Sequence, residues 1–216
     1  MRTPLCIAAL ALTLTPPPAL AHPHIFVGAE VTVDFSGSTP VVRLAWVYDD
    51  YFSLLITADL GLDLDGDMRL TPAEVQTLAA SVTAWPPDFQ GDLEVMQGDT
   101  LLGLAPKQDH TMTFEDGLVR EMHSRAVTIA DPAAPLNIRV YDPFYYVAYQ
   151  LAAPVQITGR DDCTAAITPP NLDRAYSLVE ELLYGRPAGD VGPDEEFPEV
   201  GVEFAETITV TCAAPL

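Results

Sequence analysis

The chain has 216 residues, enough for a single domain with a sizeable core, and 31 acidic side chains against 10 basic ones give it a net charge of −21. That balance argues against nucleic acid and anionic membrane surfaces as partners. It suits cations, although a salty habitat would select the same surface.

Residues 1–21 read as a secretory leader. Arg2 gives the positive start, Leu5 to Leu14 form an apolar core too short to span a bilayer, and Ala19-Leu-Ala21 supplies small residues at the cleavage point. Cleavage after Ala21 starts the mature chain at His22, lowers the net charge to −22 and, in a Gram-negative cell, delivers the protein to the periplasm. No later stretch is long and apolar enough to anchor in a membrane. Cys6 leaves with the leader, so Cys163 and Cys212 remain as an even pair in an oxidising compartment, where a disulfide is expected. It would close a loop of about 50 residues, worth about 3–4 kcal/mol in the chain-entropy account. A pair of soft metal ligands is the alternative.

Ile25, Val27, Ala29, Val31, Val33 and Phe35 alternate with small or polar residues, which predicts a long half-buried strand. Ser36–Pro40 turns the chain, and Val42, Leu44, Trp46 and Tyr48 predict its hairpin partner. A helical excursion over 51–85 follows, with Phe52, Leu55, Ile56 and Leu60 before an acidic loop and Val75, Leu78, Ala79 and Val82 after it.

The loop, Asp63 to Glu74, has the spacing of an EF-hand. Asp63, Asp65 and Asp67 fall at positions 1, 3 and 5, the carbonyl of Arg69 at 7, Thr71 at the often water-bridged position 9 and Glu74 at 12. Calcium takes about six to eight oxygen ligands, and this set supplies them. Leu70 is the apolar anchor. Met68 stands where Gly is usual, because that turn needs positive φ, at a cost on the order of 1–2 kcal/mol for a side chain. Thr71-Pro-Ala-Glu74 alone would be explained as a capping box with Pro at the first helical position. That leaves three alternating aspartates unexplained, mutually repelling unless a cation sits among them.

Short β-like runs recur from Leu93 to Ile157, separated by turns such as Gln97-Gly98-Asp99 and Glu115-Asp116-Gly117. They predict an antiparallel sandwich or open barrel. Asn171 caps a helix with a stripe of Leu172, Ala175, Val179 and Leu182, closed by Gly185. An acidic flexible loop is expected over 186–201, and Phe204–Val210 returns as a last strand. The expected architecture is mainly β (α+β): one sandwich-like domain over 22–216 with an inserted helix–loop–helix and one C-terminal helix.

Four histidines are candidate ligands for a transition metal. His22 at a processed terminus would offer its α-amine and ring, and His24 follows two residues on; Pro23 cannot supply an amide nitrogen, which leaves side-chain chelation of copper, nickel, cobalt or zinc. A polar strand start beside a cleavage site is the plain alternative. His123 shares a strand face with Glu121 and Arg125 and is expected to be exposed or ion-paired; His110 is expected in a loop. Either could add a third ligand.

Ala21-His-Pro-His-Ile-Phe-Val27 after a leader, Trp46-Val-Tyr-Asp49, the Asp-rich loop, Val140-Tyr-Asp-Pro-Phe-Tyr-Tyr146 and a closing strand with Cys212 follow in an order that resembles one family, domain of unknown function 1007. Its members are described as periplasmic components of transport systems, often beside nickel/cobalt-type efflux permeases or zinc uptake systems. The resemblance implies an accessory metal-handling role with a membrane metal transporter as partner. Neither a Gly-x-Ser-x-Gly elbow nor His-Glu-x-x-His occurs, so binding rather than catalysis is expected. The alternatives are a calcium-stabilised interaction module, with the aromatic run Tyr141–Tyr149 facing a partner or split between core and sheet surface, and a copper enzyme built on the N-terminal histidine.

Overall fold

The computed structural model describes residues 23–81, 85, 86, 89–187, 191, 195 and 197–215. The expected leader and His22 lie outside them.

The predicted hairpin forms from β1 (Ile25–Asp34) and β2 (Val41–Tyr48), in register from Val27 opposite Tyr48 to Asp34 opposite Val41. Successive side chains of a strand point to opposite faces, so the alternating Val27, Ala29, Val31 and Val33 of β1 turn inward and are buried, while Ile25 at its start is half-buried. β5 (Gln108–Glu115) and β6 (Leu118–Ala126) extend this sheet beyond β2. On the far side of β1 lie β8 (Val147–Leu151) and β9 (Gln156–Thr158), both parallel to it. The sheet runs β5-β6-β2-β1-β8, with β9 also on β1.

The second sheet contains β3 (Leu93–Gln97), β4 (Thr100–Leu101), β7 (Leu136–Val140), β10 (Cys163–Thr168) and β11 (Thr207–Cys212), in the order β10-β11-β7-β3-β4. The core lies where the two sheets meet. Val31, Val33, Val42 and Leu44 come from the first sheet and Val95, Leu136, Ile138 and Ile208 from the second, all at most 2% exposed. This is the expected mainly β, sandwich-like α+β fold. Cys163 and Cys212 are directly opposed across β10 and β11 and form the expected disulfide.

The insertion between β2 and β3 holds two helices, α1 (Asp50–Asp59) and α2 (Pro72–Ala80). Asp49 caps α1, its Oδ1 accepting the Phe52 N–H at 2.7 Å while Oδ2 accepts that of Phe26 at 3.2 Å. The cap therefore also ties the helix start to β1. Leu62, Leu78 and Val119 form a small core with Ile56, Leu60, Leu70, Met112 and Phe114, which seats the helical pair on the β5–β6 hairpin. α3 (Leu172–Leu182) begins at Asn171, as predicted, and buries Ala175 and Val179 against Val191, Phe197, Val200 and Phe204. The acid-rich segment 186–201 lies partly outside the described residues.

Candidate metal centre

The acidic loop joins α1 to α2, and Glu74 closes it. Its Oε1 accepts the N–H of Asp63 at 3.0 Å; its Oε2 accepts the N–H and hydroxyl of Thr71 at 2.8 and 2.7 Å. These donors hold the Glu74 carboxyl below the usual carboxylate range, the Thr71 backbone first. With the ends joined, the turn between them coils tightly enough to put Gly66 at φ 69° and Met68 at φ 59°. The expected strain at Met68 is thus present in the backbone.

That coil brings Asp63, Asp65 and Asp67 together, with one ligand oxygen from each inside a span of 4.8 Å. Asp63 Oδ2 accepts the Met68 N–H at 3.2 Å and Asp67 Oδ1 that of Arg69 at 2.9 Å. Asp63 Oδ1 is buried and has no hydrogen-bond partner. A buried carboxylate oxygen without a donor is costly, and a bound cation satisfies it. Asp65, Asp67, Arg69, Thr71 and Glu74 line one hollow of about 360 Å³. The residues present therefore fit a hard divalent ion held by oxygen. Glu74 lines the same hollow, and its carboxylate accepts the loop-closing hydrogen bonds of Asp63 and Thr71.

His22 lies outside the described residues, and His24 stands apart from His110 and His123. His24 is exposed at the start of β1, its ring 4.7 Å from that of Tyr146, and its N–H donates to the Tyr146 carbonyl at 2.8 Å. Among the described residues the one converging group of three or more potential ligands is the aspartate triad, and it includes none of His24, His110 and His123.

His110 and His123 instead belong to a buried polar cluster on the inner face of β5 and β6. His110 lies within β5, not in the loop expected. Its Nε2 is 2.5 Å from Glu121 Oε1, while Lys107 Nζ sits 2.6 Å from its Nδ1. With the Lys107 ammonium donating to Nδ1, Nε2 carries the ring proton and donates to Glu121. Glu121 Oε2 accepts the hydroxyl of Tyr48 at 2.8 Å. Lys107 also lies over the Trp85 ring, 4.1 Å from its centroid.

His123 corrects the expectation of an exposed or ion-paired side chain. It is 2% exposed, and neither ring nitrogen has a partner. Trp46 packs on it at 4.8 Å and Trp85 at 4.7 Å between centroids. Burial, then the nearby His110, Arg125 and Lys107, push its pKa down to about 3, so the ring is neutral. The physical reason lies in Trp85 and residues 89–92, which cover this end of the sheet. Arg125 fastens the latter, donating to the Gln90 carbonyl at 2.9 Å and the Gln90 side-chain oxygen at 2.8 Å. Gly91 allows the close approach: at φ 77° a Cβ would fall 2.7 Å from the Trp85 ring and 2.9 Å from His123 Nε2. Beyond it, Asp92 accepts the Tyr149 hydroxyl at 2.7 Å, and burial raises its pKa to about 7. Strand alternation put Glu121, His123 and Arg125 on one face, but no periodicity announces that Trp85 and residues 90–92 cover them.

Fold and site together define a two-sheet β protein whose inserted helical pair carries an acidic triad able to hold a metal ion. The chain belongs to the family described as Protein of unknown function (DUF1007), whose model matches residues 7–212. No curated protein matches it. Among the described residues no helix is long and apolar enough to cross a membrane.

Proposed function

We propose that this is an exported, periplasmic metal-binding accessory protein with calcium in the loop 63–74. Its role is binding rather than catalysis. The observation that carries the reading is Asp63 Oδ1, buried and unpartnered inside a converging triad of carboxylates. Because Glu74 is engaged in loop closure, affinity belongs with extracellular calcium modules, about 10⁻⁴–10⁻³ M. Terbium luminescence and calorimetry with calcium test it. One site is expected, lost in Asp63→Asn/Asp65→Asn; absence of saturable binding at 10-fold above that range, or unchanged binding in the variant, overturns the assignment.

A second reading concerns the chain start. His24 is exposed where β1 begins, and together with a His22 at a processed terminus it would take copper, nickel, cobalt or zinc and exchange it with a membrane transporter. Near one equivalent of such a metal in the His22-started protein, lost when one residue is added ahead of His22, supports it. Calcium alone leaves the calcium-stabilised interaction module.

A further inference from the structure

Helix α1 is apolar on two sides: Ile56 and Leu60 pack into the small core of Leu62, Leu78 and Val119, and a second apolar stripe faces solvent. An amphipathic helix places its apolar stripe on the core, yet α1 buries Ser53 and Thr57, at 0 and 4% exposure, and shows solvent Tyr51, Leu54 and Leu55 at 68, 62 and 38%. With Ala58, also exposed, these occupy positions i, i+3, i+4 and i+7, one stripe along the helix. The rotation is fixed. Ser53 Oγ accepts the Val119 N–H at 2.9 Å and donates to the Tyr48 carbonyl at 3.3 Å, while Thr57 Oγ1 bonds back to the Ser53 and Leu54 carbonyls at 3.1 and 3.0 Å. Phe52 packs on Tyr48, with ring centroids 5.1 Å apart. Ser53 thus bonds the helix to the sheet, Ile56 and Leu60 fill the small core, and Tyr51, Leu54 and Leu55 are left outside it.

The surroundings of the stripe specify what would cover it. Between Leu44 and Met68 the chain carries six aspartates and no Lys, Arg or Glu. A second copy would oppose aspartates to aspartates, and an anionic lipid surface would be repelled by the same charges. We infer that the outer face of α1 is a docking surface for an amphipathic helical segment of a partner protein, apolar along one side and basic at its flanks. Anchors at i, i+3, i+4 and i+7 are the pattern by which one helix reads another's groove or face. The inference goes beyond the metal-binding reading: a cation in the loop would offset part of the charge of Asp63, Asp65 and Asp67, while Asp49, Asp50 and Asp59 lie outside the loop and keep the flank acidic.

A synthetic 18-residue Leu/Lys peptide with all its leucines on one helical face, dye-labelled and followed by anisotropy against the protein freed of its leader, tests the surface. It should bind at least tenfold more tightly than a scrambled peptide of identical composition. Tyr51→Ser/Leu54→Ser/Leu55→Ser, which leaves the charge unchanged, should lower affinity tenfold or more with the melting curve intact. Leu54→Lys serves as an independent single variant, with a severalfold loss expected. Equal binding of the scrambled peptide, or unchanged binding to the variants, overturns the proposal. So does a dimer that the triple variant abolishes, or capture of the wild type by phosphatidylcholine vesicles, because each assigns the stripe a different occupant.

Discussion

Burial disfavours the charged forms of both His123 and Asp92, and the two shifts have opposite consequences for stability. The folded pKa of His123, about 3, lies below the ordinary 6.5. The unfolded chain therefore binds the extra proton between those values, and the contribution of His123 to stability falls as pH drops through that window. Asp92 has a folded pKa of about 7 against an ordinary 3.8. Here the folded state holds the extra proton, so its contribution is full below 3.8 and is lost as pH rises towards 7. Between about pH 4 and 6.5 the two slopes oppose each other, and the melting temperature of the wild type is expected to vary little. Asp92→Asn keeps an oxygen for the Tyr149 hydroxyl and removes only the falling slope. The melting temperature of that variant should climb from pH 4.5 to 6.5, and parallel profiles for variant and wild type would refute the assignment.

At the scale of the element, Ser53 is the joint between the inserted helices and the sheet. Its hydroxyl is the partner of the buried Val119 N–H, so Ser53→Ala leaves a donor without an acceptor, at about 1–3 kcal/mol. Urea unfolding should show that loss with an unchanged slope, whereas a change within 0.5 kcal/mol would mean that the two helices hold their place by packing alone. The same element marks the limit of what the sequence discloses. The helical period over 52–60 located α1 and its inward Ile56 and Leu60, but it also assigned the exposed Leu55 to the buried stripe; Ser53 and Thr57 are buried instead, and the bonds of Ser53 to β2 and β6 are ones that no local pattern records. β1 and β2 were legible throughout because both alternate and both line the core. β10 was not foreseen: Cys163–Thr168 leaves four of its six side chains exposed, so there is little apolar alternation to find. Asp63, Asp65 and Asp67 were legible because loop ligands sit at fixed offsets in the chain. Glu121, His123 and Arg125 were legible as one strand face, but their burial comes from Trp85 and residues 89–92, a tertiary fact.

On the scale of the molecule, the outer strands of both sheets are held by specific devices. Along β8, the N–H groups of Val147 and Leu151 donate to the carboxylates of Asp142 and Glu206 at 3.0 and 2.6 Å, which occupies donors that an unpaired edge would offer to another chain. At the far end of the second sheet, β10 contributes few buried side chains and pairs with β11, whose Ile208 and Val210 reach the main core. The Cys163–Cys212 bond, across 49 residues of chain, therefore matters more to β10 than to the core. In the chain-entropy account a loop of that length is worth about 4 kcal/mol, which for a chain of this size corresponds to roughly 8–16 °C in melting temperature. Cys163→Ala/Cys212→Ala should melt lower by that amount, and dithiothreitol should lower the wild type equally while leaving the variant unmoved. A fall of less than about 2 °C would instead mean that the reduced, unfolded chain stays as restricted as the bridged one, and that β-pairing to β11 alone holds the edge.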